Sequence, residues 1–168
     1  MSDTIIRPER AEDQSAIRAV IEAAFANHPH SNQSEGRIVD GLRAAGALTL
    51  SLVALQGDDV IGHIAFSPIT IGGKPVDWYG LGPVAVLPSH KSKGVGGALI
   101  REGLARLTPL GAKGCVLLGE PDYYTRFGFK LDAALCPEGL PPEYFQSLPF
   151  AEDVPKGKAA YHAAFFPA

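Results

Sequence analysis

Between Leu48 and Val86 the chain runs through three apolar stretches separated by two tight turns. Leu48–Leu55 is rich in Leu and Val and reads as a strand, Gln56-Gly57-Asp58-Asp59 as a turn, and Val60–Ile71 as a second strand. Gly72-Gly73 supplies the positive φ angles of a two-residue hairpin turn, after which Val76–Val86 reads as a third strand. Strands joined by such short turns lie antiparallel, so the middle of the chain is a meander. Proline cannot donate to a ladder: Pro68 weakens the far end of the second strand, and Pro83 marks a bulge in the third.

Helical periodicity flanks this meander. Thr4–Arg7 reads as a short strand closed by Pro8. Ile17, Val20, Ile21, Ala24 and Phe25 then form one apolar stripe of a helix. After a polar loop from Asn27 to Asn32, Asn32 and Glu35 have the spacing of a capping box, ahead of a second helix with Ile38, Val39 and Leu42. Ala98, Leu99, Ile100, Leu104 and Leu107 continue a third helix that closes near Pro109-Leu110-Gly111. Cys115–Leu118 reads as a buried strand, and Tyr123–Phe127 as a short helix with Gly128 beyond its end. Leu140–Phe145, with Pro141 and Pro142 in the first turn, suggests another short helix. The pattern defines an α/β chain with a mostly antiparallel sheet flanked by helices.

The 168 residues are expected to form one domain, 1–168. With 46% apolar and 20% charged residues the chain has enough apolar material to offset its ordering entropy. A net charge of −3 argues against a nucleic-acid partner. No run approaches the ~18 apolar residues of a membrane span. Met1–Arg7 lacks the charged and apolar regions of a secretion signal, and with only Cys115 and Cys136 the expected setting is reducing and cytoplasmic.

The strongest chemistry lies in Lys91-Ser92-Lys93-Gly94-Val95-Gly96-Gly97, between an apolar strand and a helix. The first turn of a helix has unpaired N–H groups and the positive end of the dipole. Glycines let an anion approach those groups, and Lys91 and Lys93 add charge, so the loop favours a phosphate or pyrophosphate. No stretch supplies a Walker A sequence. A dinucleotide fingerprint fails because Leu99 stands where the third Gly or Ala belongs. Gly80-Leu81-Gly82 fits that fingerprint loosely but leads into a strand.

Lys91-Ser92-Lys93-Gly94-Val95-Gly96 resembles the Q/R-x-x-G-x-G/A acetyl-CoA loop of the GCN5-related N-acetyltransferase (GNAT) superfamily. Gly82–Pro88 resembles that family's fourth strand, and Tyr123-Tyr124-Thr125-Arg126-Phe127-Gly128-Phe129 its F-Y-x-x-x-G-F segment. Gly80-Leu81-Gly82-Pro83, the Tyr123-Tyr124 pair and Pro141-Pro142-Glu143-Tyr144-Phe145 are similar to a YhbS-like branch. Lys91 departs from the family's Gln or Arg: the charge is kept, the planar hydrogen-bonding group is lost.

The resemblance implies a sheet whose fourth and fifth strands splay apart, and an N-acetyltransferase with acetyl-CoA as cosubstrate and no metal. The pantetheine arm would bond backbone groups of Val84, Ala85 and Val86, and the pyrophosphate would sit on Lys91, Ser92, Lys93, Gly94, Val95, Gly96 and Gly97. A small-molecule or peptide amine would attack the thioester directly, in a monomer or homodimer. Tyr124 would be the general acid toward the leaving thiolate, with Tyr123 packing beside it. The general base stays open among Glu120, His63, Glu35 or a water path. Two further readings use the same loop: a non-catalytic CoA-binding or interaction module on this fold, and a nucleotide-phosphate binder, which has no evident base pocket or Mg²⁺ carboxylates. His28-Pro29-His30 lacks a third ligand at metal-site spacing and reads as a solvated loop.

Overall fold

A computed structural model describes residues 4–29 and 31–167. The strands are β1 (Thr4–Pro8), β2 (Leu50–Gln56), β3 (Asp59–Ile71), β4 (Lys74–Val86), β5 (Gly114–Leu118), β6 (Lys130–Leu131), β7 (Phe145–Pro149) and β8 (Ala159–Ala160). They form one sheet in the order β1-β2-β3-β4-β5-β7-β6, with β8 beside β3. Among the described strands every pairing is antiparallel except β4 with β5.

The meander is as the turn glycines dictate. Gly72 and Gly73 have φ of 61° and 77° between β3 and β4, a conformation that suits two glycines. The bulge at Pro83 is present. Ile64 pairs with Val84 and Phe66 with Leu81, so the single residue Ala65 faces both Gly82 and Pro83.

Helices α1 (Gln14–Phe25) and α2 (Glu35–Ala44) lie on one face of the sheet, and α3 (Val95–Leu107) lies on the other. Ile17, Val20 and Ile21 of α1 pack on Val53, Ala65 and Ala85. Val95, Leu99, Ile100 and Leu107 of α3 pack on Leu52, Ile61, Ile64 and Phe66. The α3 backbone comes so close that a Cβ on Gly103 would lie 2.3 Å from the Phe66 ring. A third cluster, with Ile69, Trp78, Val116, Leu135 and Phe145, closes the far end under the C-terminal segment.

Two local expectations are corrected. The residue preceding α2 is Ser34, and Asn32 and Glu35 do not form a capping box. Asn32 Oδ1 accepts the Ser34 N–H (3.1 Å) in an Asx turn, and the Glu35 carboxylate accepts the Ser31 hydroxyl at 2.7 and 2.8 Å. Leu140–Phe145 is not a helix. Pro142–Tyr144 forms a turn and Phe145 opens β7, because the outer edge of β5 takes a strand there. That pairing outweighs the local preference for a proline-led helical turn. The helix α4 (Pro121–Tyr124) starts two residues earlier than the aromatic pattern suggests and runs through a 3-10 turn to Gly128, φ 98°.

Candidate active site

The parallel pairing of β4 and β5 covers only Trp78–Gly80 against Gly114–Val116. Beyond it β4 continues on β3 and β5 continues on β7. The bulge at Gly82-Pro83 bends β4 where the two part. Leu81–Val86 therefore has one edge with no strand beside it, and backbone groups of alternate residues face the gap. Val84, Ala85 and Val86 all lie on this stretch. Ala85 turns its side chain under α1, while Val84 and Val86 pack toward α3.

The free edge leads straight into the glycine turn. After a 3-10 turn at Pro88–His90, Lys91–Gly94 is exposed and α3 begins at Val95. Gly94 has φ 86° and Ser92 φ 63°. Only glycine adopts that conformation freely, and for Ser92 it costs of order 1 kcal/mol. The first helical bond runs from the Ala98 N–H to Gly94 O (3.0 Å), so the amides of Val95, Gly96 and Gly97 precede the helical ladder. A Cβ on Gly96 would meet nothing closer than 3.7 Å. Packing alone does not require glycine there.

Tyr123 and Tyr124 diverge, with ring planes at 87° and centroids 5.0 Å apart. The Tyr124 ring lies on the end of β5, where a Cβ on Gly119 would come within 2.4 Å of it. Among the described residues no protein group hydrogen-bonds its hydroxyl. Burial, with Tyr123 adding a little, pushes Tyr124 up to about 12, so the phenol stays protonated. Tyr123 sends its hydroxyl the other way. It lies 3.7 and 3.8 Å from where Cβ atoms on Gly96 and Gly97 would sit. Tyr123 packs against the core as expected, and its hydroxyl also faces the glycine turn. Arg101 and Arg126 flank the same turn, and the sequence reading does not single them out. The available signal was a basic residue four positions after Gly97, in a helix with no acid in its first turn.

The three candidate bases are scattered. Glu120 is exposed at the start of α4. Glu35 is engaged by Ser31. His63 is fully buried on β3, opposite Ala85, with Nε2 at 2.7 Å from the Ser51 hydroxyl. Burial lowers His63 to about 4, against a smaller upward pull from Glu9. His28 is exposed, and His30 lies outside the described residues. No group of three metal-binding side chains occurs among the described residues. Cys115 and Cys136 are both free and buried.

A mixed sheet split between two parallel strands, with a glycine turn at the split opening a helix, defines the acyl-CoA transferase class. Residues 5–131 match the profile of the acetyltransferase (GNAT) domain family. The uncharacterized N-acetyltransferase YhbS of Escherichia coli strain K12 is 38% identical over 130 residues, 77% of this chain and 75% of YhbS. A GNAT family acetyltransferase from Brucella melitensis, solved in complex with acetyl-CoA, has a TM-score of 0.88 and 56% identity, covering 98% of this chain and 99% of that one. Escherichia coli YhbS solved in complex with CoA gives 0.89 and 33%, covering 98% and 93%. The chain belongs to the GNAT family of N-acetyltransferases.

Proposed function

We propose that the protein transfers the acetyl group of acetyl-CoA to a primary amine by direct attack in a ternary complex. The observation that supports this best is the free edge of β4 running without interruption into the amide-rich turn of α3. The pantetheine arm adds to Val84–Val86 as a strand would. The pyrophosphate rests on the amides from Ser92 to Gly97, with Lys91 and Lys93 beside it. A β4 N–H polarises the thioester carbonyl. The amine nitrogen bonds to the carbonyl carbon, the C–S bond breaks with its electron pair leaving on sulfur, and the amine's proton passes to a base or through water to solvent. Tyr124, protonated at neutral pH, donates to the leaving sulfur. Its upward shift to about 12 places it above a thiol at about 8.5, so its role is to hold the thiolate by a hydrogen bond rather than to surrender the proton fully.

The acceptor is a small molecule or a peptide amine, and the chain acts as one domain, monomeric or homodimeric. Two buried free thiols support a reducing, cytoplasmic setting. Calorimetric titration with acetyl-CoA, with NADH and ATP as controls, tests the cofactor, and free-thiol release tests turnover. Selective acetyl-CoA binding with thiol release on adding amines is the expected result. Binding without turnover of any amine would favour the non-catalytic module, for which Lys91 in place of Gln or Arg is the one supporting feature.

A further inference from the structure

We propose that Arg101 and Arg126 form a second phosphate subsite beside the amide turn, and that it takes the 3′-phosphate on the ribose of coenzyme A. This rests on the cofactor reading above and extends it to residues outside the glycine loop.

Arg101 sits one turn along α3, and its guanidinium folds back toward the helix start. Its Nη1 lies 3.2 Å from where a Cβ on Gly97 would be. The same guanidinium lies over the Phe127 ring, 5.1 Å from its centroid. Arg126 lies over Tyr123 at 4.6 Å, with Nε donating to Tyr123 O at 2.8 Å. Through the Tyr123 hydroxyl, this second stack also closes on Gly96 and Gly97.

Among the described residues, Arg7, Arg10, Arg18, Arg43 and Arg106 pair with carboxylates; Arg101 and Arg126 do not. The placement is also electrostatically adverse. A helix start repels cations, α3 has no acidic residue in its first turn, and Lys91 and Lys93 precede it directly in the chain. Among the described residues, Arg101 and Arg126 stay without a carboxylate partner in a chain of net charge −3. An anion at this position would relieve that repulsion.

The pyrophosphate accounts for the amides, which it contacts end-on. The ribose that follows carries a further phosphate dianion, for which the two guanidiniums beside the turn are the proposed partners. A planar guanidinium offers paired donors that match phosphate oxygens. Stacking on Phe127 and Tyr123 sets the plane in advance, so less freedom is lost when the phosphate arrives.

The experiment compares acetyl-CoA with 3′-dephospho-acetyl-CoA by calorimetry, using the wild type and an Arg101→Gln/Arg126→Gln double variant. The wild type is expected to bind acetyl-CoA roughly ten-fold or more tighter than the dephospho form, the worth of one or two charge-assisted bonds. The double variant is expected to bind both with the weaker affinity. Arg126→Lys, which keeps charge and loses the plane, is expected to fall between and covers the case of a double variant that does not fold. Equal wild-type affinities would overturn the subsite and leave the cofactor reading standing. Equal weakening toward both ligands in the variant would assign the arginines to the pyrophosphate and overturn it as well. A wild type that binds neither ligand would remove the cofactor reading itself, and the subsite with it.

Discussion

Arg43 and Arg126 use the same guanidinium on opposite faces of the sheet for different ends. Arg43 of α2 reaches Glu9 with two bonds, Nε at 3.0 Å and Nη2 at 2.9 Å. Glu9 also accepts the Ser51 hydroxyl. A carboxylate can only accept, so Ser51 must donate to Glu9 and accept from His63 Nε2–H. The buried imidazole is therefore fixed as one neutral tautomer, with the lone pair on Nδ1. Burial works to raise the Glu9 pKa, but the bonds from Arg43 and Ser51 outweigh it and leave it lowered. Glu9, Arg43, Asp40 and Arg18 all find partners within the chain. At the start of α3, Lys91, Lys93, Arg101 and Arg126 meet aromatic rings and solvent instead. The first arrangement is complete within the chain; the second leaves donors open, which is what the proposed cofactor site uses.

That contrast can be broken experimentally. The largest effect is expected from Gly96→Glu, which sets a carboxylate in the anion turn. Acetyl-CoA affinity should fall roughly hundred-fold or more through like-charge repulsion. Thermal stability should hold, because a Cβ at this position has 3.7 Å of clearance. Unchanged affinity in a calorimetric titration would end the assignment of the turn. Tyr124→Phe should lower kcat by about a hundred-fold while the acetyl-CoA dissociation constant stays within a factor of about two, since the ring remains in place. An unaltered kcat in a thiol-release assay would take Tyr124 out of the reaction.

On the Glu9 side the expected losses are in stability. The folded pKa of His63, about 4, lies below the ordinary 6.5, so the unfolded chain binds more protons between these values. Stability from this group is complete above pH 6.5 and declines as pH falls toward 4. Between pH 7 and pH 5 the decline is about 2 kcal/mol. Denaturant midpoints should track it in the wild type, and a His63→Leu variant should lose this segment of the pH dependence. Arg43→Ala strands a half-buried carboxylate. It should cost somewhat less, about 1.5 kcal/mol, or a melting temperature lower by about 5 °C. Acetyl-CoA affinity should be unchanged. An Arg43 variant that loses cofactor affinity would erase the division between the two faces.

The meander and the glycine turn were legible because their signals are local. Gly72-Gly73 and Gly94 sit where the backbone needs left-handed φ, and Pro83 sits where the ladder needs a bulge. β7 was not legible. Phe145–Pro149 becomes a strand because the edge of β5 is vacant, a fact about residues thirty positions upstream. The direction of Tyr123 depends on how a four-residue helix sits on α3, which residue type does not encode. Asn32 and Glu35 have capping-box spacing, but Ser31 and Ser34 offered closer partners. The buried Glu9–Ser51–His63 chain joins three strand-end and mid-strand positions that only the sheet register brings together.

The placement of β7 between β5 and β6 has a consequence for synthesis. As the chain leaves the ribosome, β1 to β5 can assemble in the order in which they are made, each beside a strand already present. β6 then emerges before the strand that joins it to the sheet. Until Phe145–Pro149 arrives, the outer edge of β5 stays bare and ready to pair with any extended chain nearby. The interval before β7 emerges is therefore a moment of exposure to misassembly, and shortening the stretch between Leu131 and Phe145 would shorten it.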